Sequence, residues 1–100
     1  MKKSKKIIIK GLVQGIGFRS FIHYYALKYD ISGYAKNCPD GCVEVVGKGK
    51  DSNLDKFIEH ISKGPPGAKI TEINISDLKD DSLNFKGFRI IRWKKNLKII

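Results

Sequence analysis

Apolar and polar positions change their period several times along this chain. KIIIKGLV, residues 6–13, is dense in β-branched residues and predicts a strand that ends in a glycine-rich turn. From Phe18 to Tyr29 the period lengthens. Phe18, Ile22, Tyr25, Ala26 and Tyr29 stand on one side of a helix. Gly33 to Asn37 predicts a short strand, and CPDGC a tight reversal into VEVVGKG, because proline followed by Asp-Gly is turn chemistry. In that strand Val43, Val45 and Gly47 share one face, and Glu44, Val46 and Lys48 share the other.

Asp51, Ser52 and Asn53 then compete to cap a second helix, whose apolar face is Leu54, Phe57, Ile58 and Ile61. KGPPG ends it, since glycine permits unusual dihedrals and proline cannot donate the next helical hydrogen bond. Ile70 to Ser76 predicts another strand, DLKDDSLN a polar connection, and Phe88 to Trp93 a final strand with Phe88, Ile90 and Arg92 alternating against Arg89, Ile91 and Trp93. The coarse order is βαββαβ. Two helices covering one face of an antiparallel sheet would make an α/β sandwich of split βαβ units.

Composition narrows the picture only a little. One hundred residues suit a single two-layer domain, and 41% hydrophobic residues argue against disorder. The formal charge of +10 matters less than its placement: Lys2, Lys3, Lys5, Lys6, Lys94, Lys95 and Lys98 lie at the ends, leaving +3 over residues 7–93. That implies a modest attraction to anions but no nucleic-acid-binding face. MKKSKK has the charge of a secretory leader, yet Lys10 and Gly11 interrupt the apolar stretch after it, and no run is long enough to cross a membrane. A cytoplasmic protein is therefore expected, with Cys38 and Cys42 as free thiols. The expected division is a basic extension over residues 1–6, one domain over 7–93, and an extension or continued final strand over 94–100.

The candidate chemistry sits at GLVQGIGFR, residues 11–19. A glycine-rich strand-to-helix junction can direct several backbone N–H groups at one anion, and the helix adds its positive end. Arg19 offers a planar, permanently charged fork to the same cradle, which would suit phosphate, sulfate or carboxylate. The alternative is that the glycines shape a close-packed turn and Arg19 merely caps or crosses the sheet edge. The stretch is neither a Gly-Lys-Ser/Thr phosphate loop nor a dinucleotide fingerprint.

Most of residues 7–92 closely resembles the acylphosphatase family. GLVQGIGFRSFIHYYA is similar to its phosphate-binding loop and first helix, GYAKNCPDGCVEVVGKG to its second and third strands, and KGPPGAKITEI to the connection after its second helix, with FKGFRII closing the match. The resemblance implies a ferredoxin-like α/β sandwich and hydrolysis of acyl phosphates to a carboxylate and inorganic phosphate, with no metal and no organic cofactor. It also implies that Arg19 clamps phosphate and that Asn37 positions the attacking water. Gln14, Gly15, Ile16, Gly17, Phe18 and Arg19 would supply the substrate-binding loop. The expected partner is a small-molecule acyl phosphate, met by a monomer without obligatory nucleic acid or membrane.

Other residues carry blander expectations. His23 and His60 fall in separate helices and read as exposed or locally bonded. Cys38 and Cys42 flank Pro39, Asp40 and Gly41 without making two recognisable metal-binding pairs, and a cross-hairpin disulfide would need compatible Cα and Cβ placement. Tyr24, Tyr25 and Tyr29 read as helix packing or an exposed flank. Two rival functions use similar architecture: an RNA-binding module, whose aromatic stacking positions are not evident in IIIKGLV or CVEVVGKG, and a noncatalytic small-molecule or protein-interaction domain.

Overall fold

The structure is a computed structural model that describes residues 2–79 and 84–91. Its elements run β1 (Lys2–Leu12), α1 (Phe18–Lys28), β2 (Ser32–Asn37), β3 (Val43–Lys50), α2 (Asp51–Ile61), β4 (Lys69–Leu78) and β5 (Phe88–Ile91). The five strands form one sheet in the order β4-β1-β3-β2-β5. The first four make the expected βαββαβ sandwich, a ferredoxin-like fold with both helices on one face. Pairing is antiparallel except at the edge, where β5 runs parallel to β2 with Gly33 opposite Phe88 and Lys36 opposite Ile91.

Alternation on the strands builds the core. Ile7 and Ile9 of β1, Ala35 of β2, Val43 and Val45 of β3 and Phe88 of β5 are buried with Phe18, Ile22 and Ala26 of α1 and Leu54, Phe57 and Ile61 of α2. Strand periods of two and helix periods near 3.6 thus meet in a single apolar layer. The sheet's other face is partly polar. Glu44 lies 3.9 Å from Lys6 and 3.7 Å from Lys36, and accepts a 2.7 Å hydrogen bond from Tyr34 Oη.

Three local expectations are corrected. β1 begins at Lys2 rather than Lys6, so the basic residues that read as an extension are paired strand, Lys2 opposite Lys50 and Lys6 opposite Val46. Ladder bonds come from the backbone whatever the side chain, and the lysines reach acidic partners: Lys3 lies 3.3 Å from Asp51 and Lys5 lies 3.7 Å from Asp77. β4 likewise continues through Leu78, into the segment that reads as connection. Finally, none of Asp51, Ser52 or Asn53 caps α2. Lys50 is the N-cap without a side-chain bond, because β3 passes directly into the helix and puts Asp51 in its first turn, where a carboxylate suits the helix dipole. At the other end Lys63 and Gly64 donate to the carbonyls of His60 and Ile61, closing α2 ahead of Pro65.

The final strand is described from Phe88 to Ile91. The predicted continuation through Arg92 and Trp93, and residues 94–100, lie outside the described residues.

Candidate functional site

Between β1 and α1 the chain turns through Gln14, Gly15, Ile16 and Gly17. Gly15 and Gly17 hold φ of 79° and 80°, the left-handed region that glycine enters without steric cost. A Cβ built at either position meets no atom within 4 Å. This turn is therefore not a close-packed one: its glycines satisfy backbone direction and leave open space above the peptide planes. Gly15, Ile16 and Gly17 are all solvent-exposed.

Gly17 is the N-cap of α1 and provides no side-chain cap. The first helical bond is donated by Phe21 N to Gly17 O at 3.0 Å, so the N–H groups of Gly17, Phe18, Arg19 and Ser20 precede the helical ladder. The first turn contains no acidic residue. A helix start whose first N–H groups lie ahead of the ladder, with no acidic residue in its first turn, is suited to an anion. Phe18 is buried beneath it and anchors the turn to the core, while Arg19, next in sequence, is only half-buried.

Two hydrogen bonds fix this loop relative to the β2–β3 hairpin. The Gln14 side-chain amide Nε2 donates to Cys38 O and to Cys42 O, both at 2.9 Å. The residue before Cys38 is Asn37, the last of β2, which faces Val43 across the ladder. The Arg19 guanidinium approaches the same end of the sheet from the other side: its Nη1 donates to Ile91 O at 3.4 Å, and Ile91 is in register with Lys36, the neighbour of Asn37. The parallel pairing of β2 and β5 is what brings these two strand ends together. Gln14, the exposed glycines, Arg19 and Asn37 thus gather at one edge of the sandwich.

The sequence assigns Gln14 to the cradle through its backbone N–H and does not reveal the role of its side chain. The bonds span 24 and 28 residues, so nothing local to GLVQGIGFR names their acceptors. The one available signal was an amide donor placed just after a strand end. The Ile91 carbonyl escaped for the same reason, lying 72 residues from Arg19.

The histidines stand apart from this edge chemically. His60 stacks on Tyr25 and Tyr29 with ring centroids 4.7 and 5.5 Å apart, joining the two helices, and His23 lies 6.1 Å from the Phe88 ring. Both cysteines are free thiols. Cys42 is buried, and burial, followed by hydrogen bonding to Asp40, pushes its thiol up to about 12. No helix among the described residues is long and apolar enough to cross a membrane.

Comparison with known proteins gives a consistent picture. The acylphosphatase family model matches residues 5–90. An acylphosphatase of Thermus thermophilus is 40% identical over 83 residues, covering 83% of this chain and 92% of the relative. One from Listeria monocytogenes is 48% identical over 68 residues, covering 67% and 73%. The crystal structure of acylphosphatase from Bacillus subtilis superposes with a TM-score of 0.84 at 34% identity, covering 91% of this chain and 99% of that one.

Proposed function

The chain belongs to the acylphosphatase family, whose general activity is the hydrolysis of acyl phosphates, and we propose that here the reaction is carried by Arg19, the 14–19 loop and Asn37. The observation that carries this reading is the shared sheet edge. The Gln14 bonds tie the loop ahead of the uncapped helix start to the hairpin that follows Asn37, and Arg19 bonds Ile91, which is in register with the residue before Asn37.

An acyl phosphate needs little from an enzyme at its leaving group, because a carboxylic acid has an ordinary pKa of about 4 and departs as the anion at neutral pH. What remains is to hold three equatorial phosphoryl oxygens while water and leaving group stand in line. The N–H groups of residues 15–19 converge on those oxygens, and Arg19 donates a planar pair of bonds to them. The Asn37 amide both donates and accepts, so it orients the water without acting as a strong base. The substrate's own phosphate takes the water proton. No step calls on a metal or an organic cofactor, and the exposed loop suits a small-molecule substrate taken by a monomer. Two free thiols fit a reducing compartment such as the cytoplasm.

The test is phosphate release from benzoyl phosphate by the protein and by two folded variants. Arg19→Lys keeps the charge and loses the fork, so catalytic efficiency should fall at least ~100-fold, equivalent to about 2.7 kcal/mol, with weaker binding of inorganic phosphate. Asn37→Ala should lower turnover by a similar ~100-fold while leaving most phosphate affinity in place. Near-parent kinetics in both variants would make the two residues structural. Loss of phosphate affinity in Asn37→Ala would turn its role from guiding water to binding substrate.

A further inference from the structure

The hairpin that receives the Gln14 bonds also holds a group of side chains that hydrolysis does not use. One Sγ each from Cys38 and Cys42 and a carboxylate oxygen of Asp40 all lie within 4.8 Å of one another. Local backbone chemistry explains the convergence. Gly41 N donates to Cys38 O at 3.0 Å, Cys38 N donates to Cys42 O at 2.9 Å, and Gly41 holds a left-handed φ of 97°. This is the three-residue hairpin in which a turn is followed by a glycine bulge, with proline at the position that prefers its fixed φ. Asp40 Oδ1 folds back to accept from Cys42 N at 3.2 Å, which swings the carboxylate over the thiol pair.

We propose that this hairpin binds a soft divalent cation of the zinc class through Cys38 Sγ, Cys42 Sγ and a carboxylate oxygen of Asp40. Two thiolates and a carboxylate are zinc-type donors, and a tetrahedral centre with metal–sulfur bonds of about 2.3 Å spaces its sulfurs by about 3.7 Å. The observed spread of donors needs only a small contraction to reach that geometry. The donors run from buried Cys42 through half-buried Cys38 to exposed Asp40, so a cation enters from solvent and keeps a fourth position open to water. Binding is balanced without redox chemistry. Two S–H protons pass to solvent, two sulfur–metal bonds form, and no electron is transferred.

A disulfide is the competing fate of neighbouring thiols, and both thiols are free in this structure. The hairpin joins the two residues by a single backbone bond, from Cys38 N to Cys42 O, while Cys42 N turns to Asp40 Oδ1. In the sequence the Cys-Pro-Asp-Gly-Cys spacing offers only two sulfurs; the third donor exists because the turn folds Asp40 back over them. The cation would be separate from the phosphate cradle, although the carbonyls of both cysteines hold Gln14.

The test is titration of the reduced, full-length protein with Co2+ under oxygen-free conditions, read by thiolate-to-cobalt charge-transfer absorbance. The expected result is a one-to-one complex, displaced by Zn2+. Cys38→Ser should weaken binding at least ~100-fold and remove much of the charge-transfer band. Asp40→Asn should weaken it at least ~10-fold, keep the band, and leave benzoyl phosphate hydrolysis unchanged. Both positions are partly or fully exposed, so circular dichroism should report a native fold. No charge-transfer band in protein with two titratable thiols would overturn the proposal. So would an intramolecular disulfide, seen as the loss of two hydrogens by mass spectrometry, in place of a complex. Unchanged affinity in Asp40→Asn would remove the carboxylate and with it the three-donor site.

Discussion

At the scale of single residues, Gln14 shows how one side chain carries two jobs. Its peptide belongs to the loop proposed to hold phosphate, and its amide ties that loop to the Cys38 and Cys42 carbonyls. Gln14→Leu removes both donors at similar volume. It should cost about 1–3 kcal/mol of stability, the sum of two lost hydrogen bonds, since Gly41 N and Cys38 N still pair the two carbonyls, and it should weaken inorganic phosphate binding as the loop loses its position. Chemical denaturation together with phosphate titration separates the two effects, and lost stability with unchanged phosphate affinity would reduce Gln14 to a staple. Tyr34 supports a second prediction. Burial first, then the hydrogen bond and negative charge of Glu44, push its phenol from 10.0 up to about 12. The unfolded chain releases this proton near pH 10 while the native protein keeps it until about pH 12, so in that window the unfolded state binds fewer protons and stability falls as pH rises. The contribution is whole below pH 10. Ultraviolet titration should show one late component among the four tyrosines, absent in Tyr34→Phe. Simultaneous ionisation of all four would contradict it.

Elements differ in how they use glycine. In the β1–α1 turn a Cβ at Gly17 meets open space, and only its positive φ resists substitution. In β2, Gly33 has a φ of 141° and a Cβ there would run into the Val46 carbonyl of β3. Gly17→Ala should therefore cost about 1–2 kcal/mol, the penalty of a left-handed alanine. Gly33→Ala adds a backbone collision within the sheet and should cost more than about 3 kcal/mol or prevent folding, the range reached when strain and overpacking combine. Thermal unfolding compares them, and equal costs would mean that β2 and β3 part easily. The same contrast explains what was readable at this scale. Phe18, Ile22 and Ala26, and Leu54, Phe57 and Ile61, marked their helices because burial imposes the helical period on composition. Lys2–Lys6 concealed a strand because ladder pairing leaves no trace in side-chain polarity. Asp51, Ser52 and Asn53 competed as caps in the sequence, but β3 runs directly into α2, which makes Lys50 the N-cap and puts Asp51 inside the first turn.

For the molecule as a whole, the sandwich is a single body with a radius of gyration of 13.4 Å, close to the roughly 13 Å expected of a 100-residue domain. A ligand that binds only this native body must stabilise all of it. Inorganic phosphate at about 100 times its dissociation constant should add about 2.7 kcal/mol, and Arg19→Lys should shrink that gain at the same phosphate concentration. Scanning calorimetry with chloride of equal ionic strength as the control reads it, and an equal shift in the variant would place phosphate elsewhere. Element order, the apolar face of each helix and the alternation of β3 followed from residue types alone, since solvent sorts side chains by the same periods in any fold that buries one face. The resemblance carried by GLVQGIGFR and the NCPDGC hairpin marked Arg19 and Asn37 from residue identity. What brings their segments to one end of the sheet had another source. It depends on β5 lying parallel to β2 and on Gln14 reaching carbonyls 24 and 28 residues away. Local sequence sets what a segment prefers, whereas pairing between distant segments is selected by packing of the complete chain, and these contacts exist only once the sheet has closed on its helices.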